Sequence, residues 1–320
     1  MKTNATRSCP LPSWAFSLAL LLGELAFFVW ITRKGVERGI WSDAVGGVLF
    51  ILLPLVLRAV VCFGSYRASL RTIPSKDRIH RGKLFKFFAI EYAHFCKQTL
   101  LQLPFPALWR TKGDRGEHGV DGEVILFQHG YAHSGAVWWR TARELESKGY
   151  RVYTIDQPTF APIDTMADRL ALRIQEVLRA TGAAKLTLVA HSMGGLIARA
   201  YLRRHGEAAL TRVITIGSPH HGTHHAVLAR GTNGRQMRIG SDWLKQLARE
   251  RINVPFTSIY SVHDTVISPQ SSSHLEGVQN IVLNDIGHVS MPSGAATRGV
   301  LLDVLKQTDR TRADAGQQPK

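Results

Sequence analysis

Three residues of the types used in nucleophilic catalysis, Ser192, Asp264 and His288, each follow a short apolar stretch of the sequence. A serine hydroxyl attacks a carbonyl carbon when a histidine removes its proton, and an acidic residue orients that histidine. The sequence therefore predicts Ser192 as the nucleophile. His288 is predicted as the base that later acts as an acid, and Asp264 as the residue that orients it.

The serine lies in the pattern Ala190-His191-Ser192-Met193-Gly194-Gly195. This pattern is typical of a nucleophile elbow, a sharp turn between a strand and a helix that exposes the serine. Because such a turn is crowded, it requires small residues two positions before and after the serine, which Ala190 and Gly194 provide. Gly195 is expected to let the helix lie close to the sheet.

A second backbone feature should stabilise the negative charge that develops on a substrate oxygen. An oxyanion hole needs two backbone N–H groups that point at one position. One candidate donor is Met193, directly after the serine, and the other is Tyr131, in the loop after the first apolar run. Gly130 gives that loop its conformational freedom. His129 is interpreted as a hydrogen-bonded structural histidine.

Other polar residues near these positions have simpler interpretations. Asp285 is the rival acid, but it lies only three residues before His288 and is interpreted as a turn residue. His263 is interpreted as a rim or hydrogen-bonded residue. The cluster of histidines at positions 220, 221, 224 and 225 has no cysteine and few acids nearby, and is interpreted as a loop and helix start beside the site. No metal and no cofactor is predicted.

The elements that must position these residues alternate between strands and helices from position 123 onward. Nearly continuous apolar runs predict buried strands at 123–128, 150–155, 185–190, 211–216, 256–261 and 278–283. Helices are predicted at about 136–148, 165–181, 193–205, 241–250 and 292–307. Asp164 is the predicted N-cap of the second helix and Gly182 its C-cap. This alternation predicts the α/β class, with reactive groups at the carboxyl ends of a mostly parallel sheet with flanking helices.

Together these motifs resemble a known family over about residues 123–307. The resemblance to bacterial triacylglycerol lipases and related esterases of the α/β-hydrolase fold is carried by His129-Gly130, the elbow, Gly217-Ser218-Pro219-His220-His221-Gly222-Thr223, Asp264 and Gly287-His288. It implies hydrolysis of carboxylic esters through an acyl-serine intermediate, with Ser192, His288, Asp264, Tyr131 and Met193 in the roles given above. Some members bind a structural calcium through an aspartate shortly after the histidine. Val289-Ser290-Met291 offers none, so no such site is predicted, and the short insert at 217–255 predicts a small cap or an open cleft.

The net charge of +16 is concentrated in the N-terminal third of the chain. Residues 1–120 contain 17 Lys and Arg against 7 Asp and Glu, and the same third holds the most apolar stretches. This combination favours a membrane surface as the anionic partner over nucleic acid, for which no recognition motif is present. The three cysteines exclude a disulfide scaffold.

The N-terminal third is predicted to anchor the chain in a membrane. The apolar runs 14–31 and 44–63 are each long enough to cross about 30 Å of hydrocarbon as a helix. We expect a transmembrane helical hairpin over 1–66, a basic amphipathic and linker region over 67–120, the catalytic domain over 121–308 and a disordered tail over 309–320. Within the second of these, residues 84–103 are expected to lie in the bilayer interface, with packing on the following domain as the alternative.

The distribution of basic residues predicts the orientation of this hairpin. Nine Lys and Arg flank its outer ends, Lys2 and Arg7 among them, against three in the link between the runs. The excess places both ends, and the catalytic domain, in the cytoplasm at a bacterial inner membrane. An exported domain behind a single anchor is the alternative. Glu24, inside the first run, requires a partner such as Arg58 or a hydrated position.

The predicted function is that of a membrane-anchored serine esterase or lipase acting on a lipid or lipophilic ester. Thioester hydrolysis or acyl transfer by the same three residues is the alternative among enzymes. A non-catalytic, hydrolase-like membrane scaffold is the alternative of another class. The intact set of three residues argues against it, because a scaffold does not need a strained serine.

Overall fold

Six short strands form the sheet at the centre of the computed structural model, which describes residues 12–117 and 121–316. The strands are β1 (Val124–Gln128), β2 (Arg151–Ile155), β3 (Leu186–His191), β4 (Leu210–Ile216), β5 (Phe256–Ser261) and β6 (Gln279–Leu283). They lie in the order β2-β1-β3-β4-β5-β6, and every neighbouring pair is parallel. The predicted α/β class with a mostly parallel sheet is confirmed.

Helices cover both faces of this sheet. In chain order, the helices of the described residues are α1 (Ser13–Glu37), α2 (Asp43–Ser69), α3 (Arg81–Lys97), α4 (Trp139–Ser147), α5 (Ile163–Thr181), α6 (Met193–His205), α7 (Gly231–Gln236), α8 (Asp242–Leu247) and α9 (Ala295–Gly316). Alternate residues of β1 enter two separate cores: Leu126 packs with α5 and α6, whereas Ile125 and Phe127 pack with α4 and α9. Burial on both faces explains why an inner strand such as β1 is almost continuously apolar rather than alternating.

The start of α5 differs from the sequence prediction. The helix begins at Ile163 after Pro162, so Asp164 lies in its first turn and is not the N-cap. Asp164 instead accepts a hydrogen bond from Trp243 Nε1 and forms an ion pair with Arg203. A carboxylate in the first turn still interacts favourably with the positive end of the helix. Gly182 follows the helix with φ 67°, as predicted for a C-cap.

The two N-terminal helices are long and apolar enough to cross a membrane by length and composition. Helix α1 continues to Glu37, so the link to α2 is shorter than the sequence suggests. Arg58 donates to both carboxylate oxygens of Glu24, at 2.5 and 2.9 Å, so each charge inside an apolar run has a partner. Lys2 and Arg7, which the orientation prediction counts, lie outside the described residues.

The segment before the sheet is docked on the domain rather than extended as a linker. Asp114 accepts hydrogen bonds from the backbone and side chain of Thr154 in β2 and pairs with Arg173 at 2.6 Å. Gly113 lies so close to β2 that a Cβ would be 2.5 Å from the Val152 carbonyl oxygen.

The last helix extends further than predicted. Helix α9 continues to Gly316, well into the segment 309–320 for which the sequence predicts disorder. Each added residue of a helix already formed gains one hydrogen bond, so propagation costs less than starting a helix. Residues 317–320 of the predicted tail lie outside the described residues.

Candidate active site

Ser192 is the single residue between β3 and α6. Its backbone has φ 56° and ψ −129°, a region that residues with a Cβ rarely adopt. Such strain persists only where the surrounding structure enforces it, and it is typical of functional sites. The turn holds the serine at the carboxyl end of the central strands, where groups from several strands meet.

The glycines of the elbow are required by crowding. A Cβ at Gly194 would lie 2.8 Å from the carbonyl oxygens of Gln128 and His129, and a Cβ at Gly195 would lie 2.2 Å from Ser218 Oγ. Gly194 therefore allows α6 to begin against the end of β1, and Gly195 allows it to pass β4. Small residues are predicted here from the sequence, and the close approach of these neighbouring segments is what requires them.

A continuous hydrogen-bonded chain joins the three predicted catalytic residues. His288 Nε2 lies 3.0 Å from Ser192 Oγ, and His288 Nδ1 lies 2.8 Å from Asp264 Oδ2. All three side chains are buried, and Asp264 is only 1% exposed. When Nδ1 donates its proton to Asp264, Nε2 can accept the serine proton. This geometry is what a general base and its orienting acid require.

The second oxygen of Asp264 is also fixed. Oδ1 accepts the backbone N–H groups of Val266 at 2.8 Å and Ile267 at 2.7 Å. Charge-assisted bonds of this kind hold a carboxylate firmly. Asp264 therefore presents an oxygen in a fixed position to the imidazole.

The rival acid, Asp285, is directed away from His288. Its Oδ2 lies 2.5 Å from Lys83 Nζ, and its backbone N–H donates to His263 Nδ1 at 2.9 Å. His263 is buried and its other ring nitrogen lies 2.5 Å from the carbonyl oxygen of Asp77. Asp285 thus connects the sheet edge to α3, and His263 connects it to the segment before α3. Neither residue lies on the hydrogen-bonded chain from Ser192.

The two predicted oxyanion donors belong to segments that border Ser192. A Cβ at Gly130 would be 3.2 Å from Ser192 Oγ, so the loop that leads to Tyr131 passes close to the hydroxyl. Met193 is the first residue of α6, and an N–H at this position has no partner within the helix. In the described part of the chain, neither N–H donates to a backbone acceptor outside the helices and strands. Tyr131 and Met193 therefore stay the predicted donors.

Three more imidazoles surround the site, and burial lowers the pKa of each. His191 stacks near His288 with ring centroids 4.6 Å apart, and its pKa falls well below the usual value. The pKa of His133 falls to about 3. His129, whose Nε2 accepts the Gln157 N–H at 2.9 Å, has a lowered pKa for the same reason. All three are neutral at neutral pH and add no positive charge beside the candidate base.

The remaining histidine cluster is dispersed. His220 Nε2 lies 3.1 Å from the Thr215 hydroxyl, and His221 Nε2 lies 3.1 Å from the carbonyl oxygen of His274. The other two lie in the turn His224–Val227. In residues 12–117 and 121–316, no group of three or more His, Cys, Asp or Glu side chains is arranged to hold a metal ion.

The insert after β4 forms a small cap beside the site. It contains one 3₁₀ turn, α7 and α8, and its Arg230 backbone both donates to and accepts from the Tyr131 hydroxyl. Val227 and Leu228, within the same insert, are 66% and 80% exposed. Exposed apolar side chains of this kind are suited to an apolar ligand.

One further carboxylate near the site is not among the residues predicted from the sequence. Glu91 of α3 is buried and hydrogen-bonded to residues 289 and 290, directly after His288. In the sequence, Glu91 is the one acidic residue among the apolar residues of 84–103, a segment that is predicted to lie in the bilayer interface. That segment instead packs on the domain, because Glu91 and Gln98 bond to it.

Residues 123–261 match the model of a family described as having the alpha/beta hydrolase fold. A triacylglycerol lipase of Pseudarthrobacter phenanthrenivorans is 35% identical over 111 residues, which are 32% of this chain and 34% of the relative. A triacylglycerol lipase of Burkholderia plantarii is 35% identical over 111 residues, 32% of this chain and 31% of the relative. The match therefore spans about a third of the length of these relatives.

The mature form of a Bacillus licheniformis lipase has a similar structure, with a TM-score of 0.53 and 20% identity. The similarity covers 57% of this chain and 92% of that one. The parallel order of the strands, the family match and this similarity agree. The chain has the α/β-hydrolase fold, and lipases are among the proteins that resemble it in sequence.

Proposed function

We propose that the chain is a serine hydrolase that cleaves carboxylic esters through an acyl-serine intermediate. The observation that carries this proposal is the hydrogen-bonded chain from Ser192 through His288 to Asp264, which begins at a strained elbow. The similarity to triacylglycerol lipases supports the choice of esters as the substrate class.

The reaction follows from the roles of these residues. Ser192 Oγ attacks the ester carbonyl carbon while His288 Nε2 takes the hydroxyl proton. The N–H groups of Tyr131 and Met193 donate to the resulting oxyanion. When the bond to the alcohol breaks, His288 gives its proton to the alcohol oxygen and the acyl group stays on Ser192. A water molecule then gives a proton to His288 and attacks the acyl carbon. When the bond between the acyl carbon and Ser192 Oγ breaks, His288 gives this proton to Oγ, which releases the acid and restores the serine hydroxyl.

The substrate is a lipid or another lipophilic ester. The exposed side chains of Val227 and Leu228 can contact an acyl chain near the serine, and Phe160, 37% exposed, extends this apolar surface. Phe160 packs against Tyr131 of the oxyanion loop and Phe16 of α1, with ring centroids 6.2 and 5.1 Å apart. The candidate membrane helix thus lies beside the route to the site.

A series of chromogenic esters with increasing acyl length tests this function on the detergent-solubilised full chain. We expect release of free acid in water without a second acceptor, and higher kcat/KM for acyl chains of medium or greater length. A fluorophosphonate probe should label wild type and the surface control Ser147→Ala equally. Labelling without ester hydrolysis would favour thioester hydrolysis or acyl transfer, and absence of labelling would favour a non-catalytic scaffold.

We further propose that α1 and α2 cross a bacterial inner membrane as a hairpin. Their 25 and 27 residues give helices of roughly 37–40 Å at 1.5 Å per residue, enough to span with some tilt. The exposed apolar side chains of both helices and the pairing of Arg58 with Glu24 support this placement. A cavity of about 470 Å³ beside the end of α2 is lined by three arginines, at positions 67, 71 and 78. Such a cavity suits anionic lipid head groups.

Reporter fusions test the orientation of this hairpin. A reporter active only in the cytoplasm should function at the C-terminus. The reason is that the outer ends of the hairpin carry more basic residues than the link between its helices. A reporter active only after export should function instead when fused within the link near Gly39, which provides the matched control. Activity of only the exported reporter at the C-terminus would place the catalytic domain outside the cytoplasm. Release of the chain by carbonate washing would mean that neither helix spans.

A further inference from the structure

The carboxylate of Glu91 binds the loop that carries His288. Glu91 lies in the middle of α3 and is only 2% exposed. Its Oε1 accepts the backbone N–H of Val289 at 2.8 Å, and its Oε2 accepts that of Ser290 at 2.8 Å. These are the two residues that directly follow His288. One side chain from the N-terminal third thus fixes two consecutive peptides of a loop about 200 residues later.

The same carboxylate also contacts the segment that carries Asp264. The Thr265 hydroxyl lies 3.3 Å from Glu91 Oε1, and it accepts the His288 backbone N–H at 3.3 Å. Thr265 directly follows Asp264. The position of the imidazole and that of its orienting acid therefore depend on one buried group.

Two neighbouring residues complete this contact. Gln98, seven residues after Glu91 and hence on the same side of the helical segment, donates to the Val289 carbonyl oxygen at 2.8 Å. A Cβ at Gly287 would lie only 2.1 Å from Glu91 Oε1. The glycine before His288 is therefore what allows the carboxylate to approach the loop.

A carboxylate at this position is costly unless it performs a specific task. Burial raises the pKa of Glu91, whereas the N–H groups of Val289 and Ser290 oppose that rise. An apolar side chain would pack without this cost, but it would leave both buried N–H groups without an acceptor. The loop after His288 therefore needs an acceptor from outside itself, and α3 provides it.

We propose that Glu91 is a positioning residue that holds His288 in line between Ser192 and Asp264. This inference rests on the proposed function. Glu91 touches no substrate, and it acts by limiting the orientations of the histidine loop. Displacement of a catalytic group by about 1 Å can cost on the order of 100-fold in rate. The α3 segment is accordingly a part of the catalytic unit and is more than a tether to the membrane.

The test compares two hydrogen-bonded carboxylates in the full-length chain, the buried Glu91 and the partly buried Glu123. Glu91→Gln leaves one amide N–H facing a backbone N–H, so we expect kcat for a short soluble ester to fall by about 10–100-fold with KM within twofold. Glu123 pairs with Arg212 at the far end of β1. Glu123→Gln should lower the Tm but leave kcat per folded molecule within twofold. Glu91→Asp, which keeps the carboxylate, should recover part of the lost rate.

A second variant disturbs the same contact without changing Glu91. Gly287→Ala should also lower kcat at nearly constant KM, because the new methyl group displaces the carboxylate, and it carries the test if Glu91→Gln does not fold. If Glu91→Gln or Gly287→Ala retains kcat within twofold, or loses it only in proportion to the folded fraction, Glu91 does not position His288. An inactive wild-type chain would instead count against the proposed function itself.

Discussion

Replacement of Ser192 by alanine is expected to reduce kcat/KM for every ester substrate by about 10³-fold or more. The serine, histidine and aspartate act as one unit, so loss of the nucleophile removes the acyl-enzyme route completely. Initial rates with a chromogenic ester on detergent-solubilised protein measure the loss. Ser147→Ala, on the exposed end of α4, is the matched control and should keep wild-type activity. A Ser192→Ala variant with more than about a tenth of wild-type activity would contradict the assignment.

The same substitution should leave the fold intact. Alanine has the Cβ of serine, so the strained backbone at position 192 and the packing of Gly130 against this Cβ stay the same. We expect unchanged near-ultraviolet circular dichroism and a Tm within a few degrees of wild type. If the variant were unfolded, its loss of rate would say nothing about the role of Ser192. Ser192→Cys, which changes the polarity of the side chain less, would then test whether residue 192 is the nucleophile.

The central sheet could be predicted because its signal is local and redundant. Inner strands such as β1 and β4 bury nearly all of their residues, so an apolar run of five to seven residues is sufficient to mark them. The candidate catalytic residues could be placed for a related reason. Parallel strands end at one edge of a sheet, so residues directly after β3, β5 and β6 must lie near one another whatever the intervening chain does.

The individual contacts between the N-terminal third and the catalytic domain could not be predicted in this way. Glu91 meets Val289 across about 200 positions, and no local pattern records such a pairing. In the sequence, Glu91 fits the pattern of a polar residue on the water-facing side of an interfacial helix. Only the folded chain brings it to a loop whose N–H groups need an acceptor. Asp114 is similar: its neighbours suggest a linker, but Arg173 and β2 bind it.

Asparagine at position 264 is expected to reduce kcat by about 10⁴-fold, whereas asparagine at position 285 should change it by less than about tenfold. Asp264 Oδ2 accepts the proton on His288 Nδ1 at 2.8 Å, which leaves Nε2 free to take the serine proton. An amide that donates to Nδ1 would instead favour the tautomer with its proton on Nε2, and that tautomer cannot act as the base. Asp285 pairs with Lys83 and lacks this contact, so its change to asparagine affects an exposed ion pair. Such pairs contribute about 0–1 kcal/mol to folding.

The comparison needs steady-state rates and a thermal melt for both variants. Each substitution preserves side-chain volume, so a similar Tm with very different kcat would isolate the tautomer effect. The order of the two kcat values decides the assignment, because the sequence offers both aspartates as the acid that orients His288. In the structure, Asp264 has its second oxygen fixed by the N–H groups of Val266 and Ile267. If Asp285→Asn loses more rate than Asp264→Asn, the orienting acid is Asp285, and the loop must rearrange when an ester binds.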